Sequence, residues 1–177
     1  MKTKMENLER KADSPQKPIT IAVVDDDVNV RTGLWWLLSN IAGMHCIGTY
    51  ADVHEAMQGL KLQAPDVVLL DVAMPGISGI DAIHPIHRQS PRAKIIMHSN
   101  FDDEDKITRS QQAGAAGYVL KNASAPALYE AILKVHQGES VWPPGYAESD
   151  LDSFAHTDLV ARLTNKARIL LKRVCRR

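Results

Sequence analysis

Between residues 19 and 138 the chain alternates five short apolar runs with five segments of helical period, and few folds accept that pattern. "ITIAVV" (19–24) reads as a strand. "NVRTGLWWLLSNI" then sets Val30, Leu34, Leu37, Leu38 and Ile41 on one helical face, and Trp35 and Trp36 add bulk, at least one of them expected in the core. The remaining pairs are "HCIGTY" with "DVHEAMQGLKL", "PDVVLLD" with "SGIDAIHPIHRQ", "AKIIMHS" with "DEDKITRSQQAG", and "AGYVLK" with "APALYEAILKVHQG". Pro85 predicts an irregular or shortened third helix, and Gly138 a helix end.

Strand–helix alternation implies an α/β fold, a doubly wound five-stranded parallel sheet with helices on both faces. The nearly all-apolar "VVLL" and "KIIM" agree with burial on both sides. Ligands of such sheets bind beyond the carboxyl ends of the strands, where strand order reverses. The residues that end the strands therefore carry the chemistry. They are Asp25, Asp26 and Asp27 after the first, Asp71 on the third, Ser99 on the fourth and Lys121 on the fifth.

In a 2-1-3-4-5 sheet the first and third strands are neighbours, so their acids meet. Two unit charges about 4 Å apart repel by roughly 4 kcal/mol at an effective dielectric near 20, which calls for a positive partner. Clustered oxygens suit a hard cation such as Mg²⁺, which takes one or two carboxylates and leaves room for phosphate. A carboxylate so placed can act as nucleophile toward phosphorus, with the lysine and metal neutralising charge and the hydroxyl donating a hydrogen bond. Asp71, central and alone on its strand end, is the candidate acceptor. Helix capping is the plainer explanation of an acidic loop, and Asp27 suits it.

With those positions in place, residues 19–138 resemble a response-regulator receiver domain. "VVDDDVNVRTGL", "PDVVLLDVAMPGISGIDAI", "KIIMHS" and "GAAGYVLK" follow that family's order and spacing, and "VRTGL" and "LKNASAPALYEAI" resemble its NarL/LuxR-type branch. The resemblance implies that Asp71 is phosphorylated, followed by Met74, Pro75, Gly76 and Gly79. It implies that Mg²⁺ is held by Asp26 and Asp71, by the backbone carbonyl of Ala73 and, through water, by Asp25, with Arg31 at the family's spacing from the acidic pair. Ser99 then matches the switch hydroxyl, Tyr118 the switch aromatic that moves inward, and Lys121 the phosphate-contacting lysine. Asn122 stands where a proline is common, and Ala73 and Phe101 occupy the variable positions that tune dephosphorylation in this family.

Charge divides the chain. Residues 1–17 carry five Lys/Arg and three Asp/Glu, residues 18–139 nine and fourteen, and residues 140–177 seven and four. The expected organisation is a flexible extension (1–17), a receiver domain (18–139), a linker (140–156) and a basic amphipathic helix (157–177). In that last segment Leu163, Ala167, Leu170, Leu171 and Val174 form one face, and "LTNKARILLKRV" resembles the opening helix of a NarL/LuxR-type helix-turn-helix. The charged start lacks the apolar core of a signal peptide, so a cytoplasmic location is expected, and Cys46 and Cys175 are read as reduced and incidental.

The expected function is a two-component response regulator that takes phosphoryl groups from a sensor histidine kinase and changes its association with a second copy or a protein target. It is expected to be no enzyme beyond accepting the phosphoryl group and slowly losing it. A DNA-binding transcriptional regulator with a shortened effector region is the alternative, because the chain stops at Arg177 before a recognition helix. An α/β enzyme acting on a small molecule is a third reading, since fold alone does not fix function.

Overall fold

The computed structural model describes residues 17–144 and 146. The predicted helix at 157–177 and all but the last residue of the N-terminal extension lie outside that range. Strands β1 (Ile19–Val24), β2 (Met44–Tyr50), β3 (Val67–Asp71), β4 (Lys94–Ser99) and β5 (Gly117–Leu120) form one parallel sheet in the order β2-β1-β3-β4-β5. Helices α1 (Val28–Ser39), α2 (Val53–Leu62), α3 (Gly79–Gln89), α4 (Glu104–Gln112) and α5 (Ala125–His136) alternate with them. The predicted architecture is the one observed.

Strand alternation builds two cores. Val68, Leu70, Ile95 and Met97 project toward the face covered by α2, α3 and α4, where Ile83, Ile86 and Ile107 meet them. Val67, Leu69 and Ile96 project to the other face, against Leu34 and Leu38 of α1 and Ile132 and Val135 of α5. Every residue of β3 is buried, as a central parallel strand requires. Each such aliphatic side chain contributes about 1.5–3 kcal/mol through its removal from water.

Two local expectations are corrected. Helix α3 is not shortened by Pro85 but runs on to Gln89. The proline removes only the bond to the carbonyl of exposed Asp81, which water reaches, while buried Ile83 and Ile86 pin the helix on either side of it. Neither tryptophan of α1 is core: Trp35 is 49% exposed and Trp36 62% exposed. Leu34 and Leu38 already fill the inward stripe, and positions 35 and 36 turn away from it at about 100° per residue.

The functional edge depends on a close approach at the start of α3. Ser78 caps this helix, its Oγ accepting from Ile80 N at 3.3 Å and donating to the Val72 carbonyl at 3.2 Å. Gly79 N donates to the same carbonyl at 3.1 Å, and a Cβ on Gly79 would lie 1.8 Å from the backbone oxygen of Asp71. Only glycine fits there without displacing the end of β3. Gly79→Ala is therefore expected to destabilise the fold by about 3 kcal/mol, read as a lower urea midpoint, and an unchanged midpoint would disprove the contact.

Candidate phosphoryl-acceptor pocket

The sheet brings its polar strand ends together as the sequence predicts. Asp25, Asp26 and Asp71 each offer a carboxylate oxygen, and these oxygens all lie within 4.8 Å of one another. Lys121 Nζ is 2.7 Å from Asp25 Oδ2 and 3.2 Å from Asp71 Oδ2. Asp25, Asp71 and Ser99 are buried, whereas Asp26 is exposed at the mouth.

Local hydrogen bonds fix this cluster. Asp25 Oδ1 accepts from Asp27 N at 3.0 Å, and Arg31 donates to the Asp25 carbonyl at 2.7 Å. Asp27 is the N-cap of α1, its carboxylate accepting from Asn29 N at 2.8 Å. That backbone bond holds the Asp27 carboxyl below its ordinary range, so this acid serves as the cap the sequence suggested. Ser99 Oγ accepts from Phe101 N at 3.2 Å, and Tyr118, 2% exposed, donates its hydroxyl to the Phe101 carbonyl at 2.7 Å. The ring of Tyr118 is thus inside, and Lys106 Nζ stands 4.7 Å from the centre of the Phe101 ring.

The electrostatics follow from burial. Desolvation pushes the Asp71 carboxyl up, with Lys121 opposing and Asp25 assisting the rise. For Lys121 burial alone would lower the ammonium, but the hydrogen bond to Asp25 and the charge of Asp71 outweigh it and hold it above its usual value. Burial likewise raises the Tyr118 phenol.

Oxygen-rich chemistry of this kind fits Mg²⁺. Asp25, Asp26 and Asp71 are the side chains that could hold it, since no softer donor stands among them.

His98 was not singled out from the sequence. It sits on β4 in register with Asp71 of β3 and Val119 of β5, is 5% exposed, and its Nδ1 has no hydrogen-bond partner among the described residues. No spacing marks it, because "KIIMHS" reads as an ordinary buried strand. Burial, reinforced by the charge of Lys121, lowers its imidazole from 6.5 to about 4.

Fold and pocket define a doubly wound domain whose strand ends gather acids, a hydroxyl and a lysine. Residues 21–133 match the response regulator receiver domain family. The chain is 36% identical over 157 residues to the oxygen regulatory protein NreC of Staphylococcus epidermidis, covering 86% of this chain and 72% of that one. It is 36% identical over 130 residues to the response regulator GacA of Pseudomonas viridiflava, covering 73% of this chain and 61% of that one. Among solved structures, a LuxR-family two-component response regulator from Aurantimonas sp. SI85-9A1 superposes with a TM-score of 0.69 at 28% identity, covering 77% of this chain and 97% of that one. The chain belongs to the response regulator receiver family, in its NarL/LuxR-type branch. Among the described residues no helix is long and apolar enough to cross a membrane.

His98 gives stability a distinct pH dependence. Its folded value of about 4 lies below the ordinary 6.5, so between those limits the unfolded chain binds the extra proton and stability falls as pH drops. The contribution is up to about 3 kcal/mol across that window. Asp71, whose carboxyl is raised, acts with the opposite sign: its part of the stability falls as pH rises. Comparing His98→Leu with wild type by urea unfolding without metal isolates the imidazole. The variant is expected to gain on the wild type as pH falls from 6.5 to about 4; parallel curves would refute a buried neutral His98.

Proposed function

We propose that the chain is a phosphorelay switch in which Asp71 takes a phosphoryl group from the phosphohistidine of a sensor histidine kinase. The observation that carries this reading is the convergence on buried Asp71 of two further carboxylates and the Lys121 ammonium. An oxygen of Asp71 attacks phosphorus, the P–N bond to the donor imidazole breaks, and its electron pair stays on that ring nitrogen. Lys121, already held at the pocket by Asp25, balances charge on the transferring oxygens. Ser99 turns its hydroxyl hydrogen toward a phosphoryl oxygen, and Tyr118 keeps its ring behind it. Asp26, Asp71 and the Ala73 carbonyl, with Asp25 through water, would hold Mg²⁺, which would add to the charge neutralisation.

Slow hydrolysis of the acyl phosphate resets the switch, with Ala73 and Phe101 at the positions that govern water access. The output of this reading is a change in association with a second copy or a protein target in the cytoplasm, through the face between β4 and α5. One observation favours a second output, DNA binding through residues beyond the receiver match. The alignment with NreC runs over 157 residues and so extends past the receiver match at 21–133. Phosphate contacts by the basic tail alone would be steeply salt-dependent and indifferent to sequence, whereas retention of one sequence over others at physiological salt favours the second output.

Intact mass after incubation with Mg²⁺ and a small acyl-phosphate donor tests the central step. Wild type is expected to gain one phosphoryl group and Asp71→Asn none; Lys121→Ala and Asp26→Ala are expected to slow uptake at least ~100-fold by loss of charge stabilisation. Equal labelling of Asp71→Asn and wild type would sink the assignment.

A further inference from the structure

Asp26 reaches the pocket from a turn, and that turn is held from α1. Asp25 is the first residue past the last rung that β1 shares with β3, Val24 opposite Leu70. The chain then bends at Asp26, and α1 begins at Val28. Three carboxylates follow one another here, and their mutual repulsion favours a backbone that spreads them apart.

Arg31, half-buried and one turn into α1, opposes that spreading at two points. Its guanidinium donates to the Asp25 carbonyl at 2.7 Å, and its backbone N–H donates to the Asp27 carbonyl at 3.0 Å. One residue thus grips the peptide that enters Asp26 and the peptide that follows Asp27. Asp27 N closes the turn from inside by donating to Asp25 Oδ1 at 3.0 Å, while Asp25 Oδ2 faces Lys121.

The acceptor that Arg31 takes is the notable one. A guanidinium bonds most strongly to a carboxylate, and three follow one another a short way before it in the chain, yet among the described residues Arg31 forms no ion pair. It bonds a neutral carbonyl instead, and the carboxylates of Asp25, Asp26 and Asp71 are left to converge. A bond from a charged donor is still roughly twice as strong as a neutral one, so the grip on the turn is firm.

We propose that Arg31 is a positioning residue for the metal: by clamping the turn it aims Asp26 toward Asp71 and so sets how tightly the three acids hold Mg²⁺. This rests on the reading of Asp26 and Asp71 as metal-holding acids given above. Charge alone predicts the opposite sign, because a cation beside a cation site repels the metal and its removal would tighten binding. Loss of a group that orients metal ligands typically weakens affinity roughly 10–100-fold, enough to outweigh that repulsion. The direction of the change therefore separates a clamp from a bystander charge.

Mg²⁺ titration of the full chain, and hydrogen exchange of its Asp27 amide without metal, carry the test. Arg31→Met keeps the aliphatic stem and removes donor and charge. It is expected to speed Asp27 exchange about three- to tenfold while leaving β3 amides unchanged, and to raise the Mg²⁺ dissociation constant about tenfold. Arg31→Lys keeps a cationic donor and is expected to lie closer to wild type in both measurements. If the methionine variant does not fold, Arg31→Gln takes its place with the same expectations. Equal Asp27 exchange in wild type and variant, or unchanged or tighter Mg²⁺ binding by the variant, would overturn the clamp. If the wild type binds no Mg²⁺ yet the variant still loosens Asp27, the clamp on the turn stands and the metal reading falls.

Discussion

Lys121 is the group on which the functional end depends. Its ammonium, at the end of β5, reaches across β4 to carboxylates on β1 and β3 and so ties together strands that the topology keeps apart. Removing three charges from water is expensive, and pairing repays that cost only in part, so the arrangement is no stability device. The same ammonium adds to the burial that keeps His98, in register with Asp71, neutral.

The two edges of the sheet divide the labour. At the amino ends of the strands Asp66 accepts from both Thr20 N at 2.8 Å and Thr20 Oγ1 at 2.7 Å, a closed set of bonds that fixes the start of β3 against β1. At the carboxyl ends the acids gather about Lys121 instead. Asp26 is exposed, and Ser99 Oγ accepts from Phe101 N. Rigidity below permits an open electrostatic cluster above, the arrangement that doubly wound sheets favour.

Much of this was legible from the chain. Strand ends announce themselves because apolar runs stop at charged residues, and parallel topology brings those ends to one edge; Asp25, Asp26, Asp71, Ser99 and Lys121 followed directly. What escaped depends on tertiary context. Helix periodicity assigns a face but not how much of it a neighbour covers, so it does not reveal that Trp35 and Trp36 stand exposed. Pro85 was judged by a local rule that ignores Ile83 and Ile86 holding the helix down. His98 occupies a strand position that reads as apolar, and Val141 lies between Gly138 and the paired Pro143 and Pro144, a composition that gives no hint of its pairing with β5.

Tyr118 shows how packing favours one position of a side chain. Burying an aromatic side chain is worth about 1.5–3 kcal/mol, and the phenol's bond to the Phe101 carbonyl adds roughly 1 kcal/mol. Moving the ring out forfeits both unless something fills the space or satisfies the carbonyl. A ligand shifts such an equilibrium only by its differential affinity for the two states, and a swing from 1:99 to 99:1 needs about 5.5 kcal/mol. The inward position is therefore favoured by the core alone. Trp142 packs on the same cluster and adds to the volume that holds the Tyr118 ring.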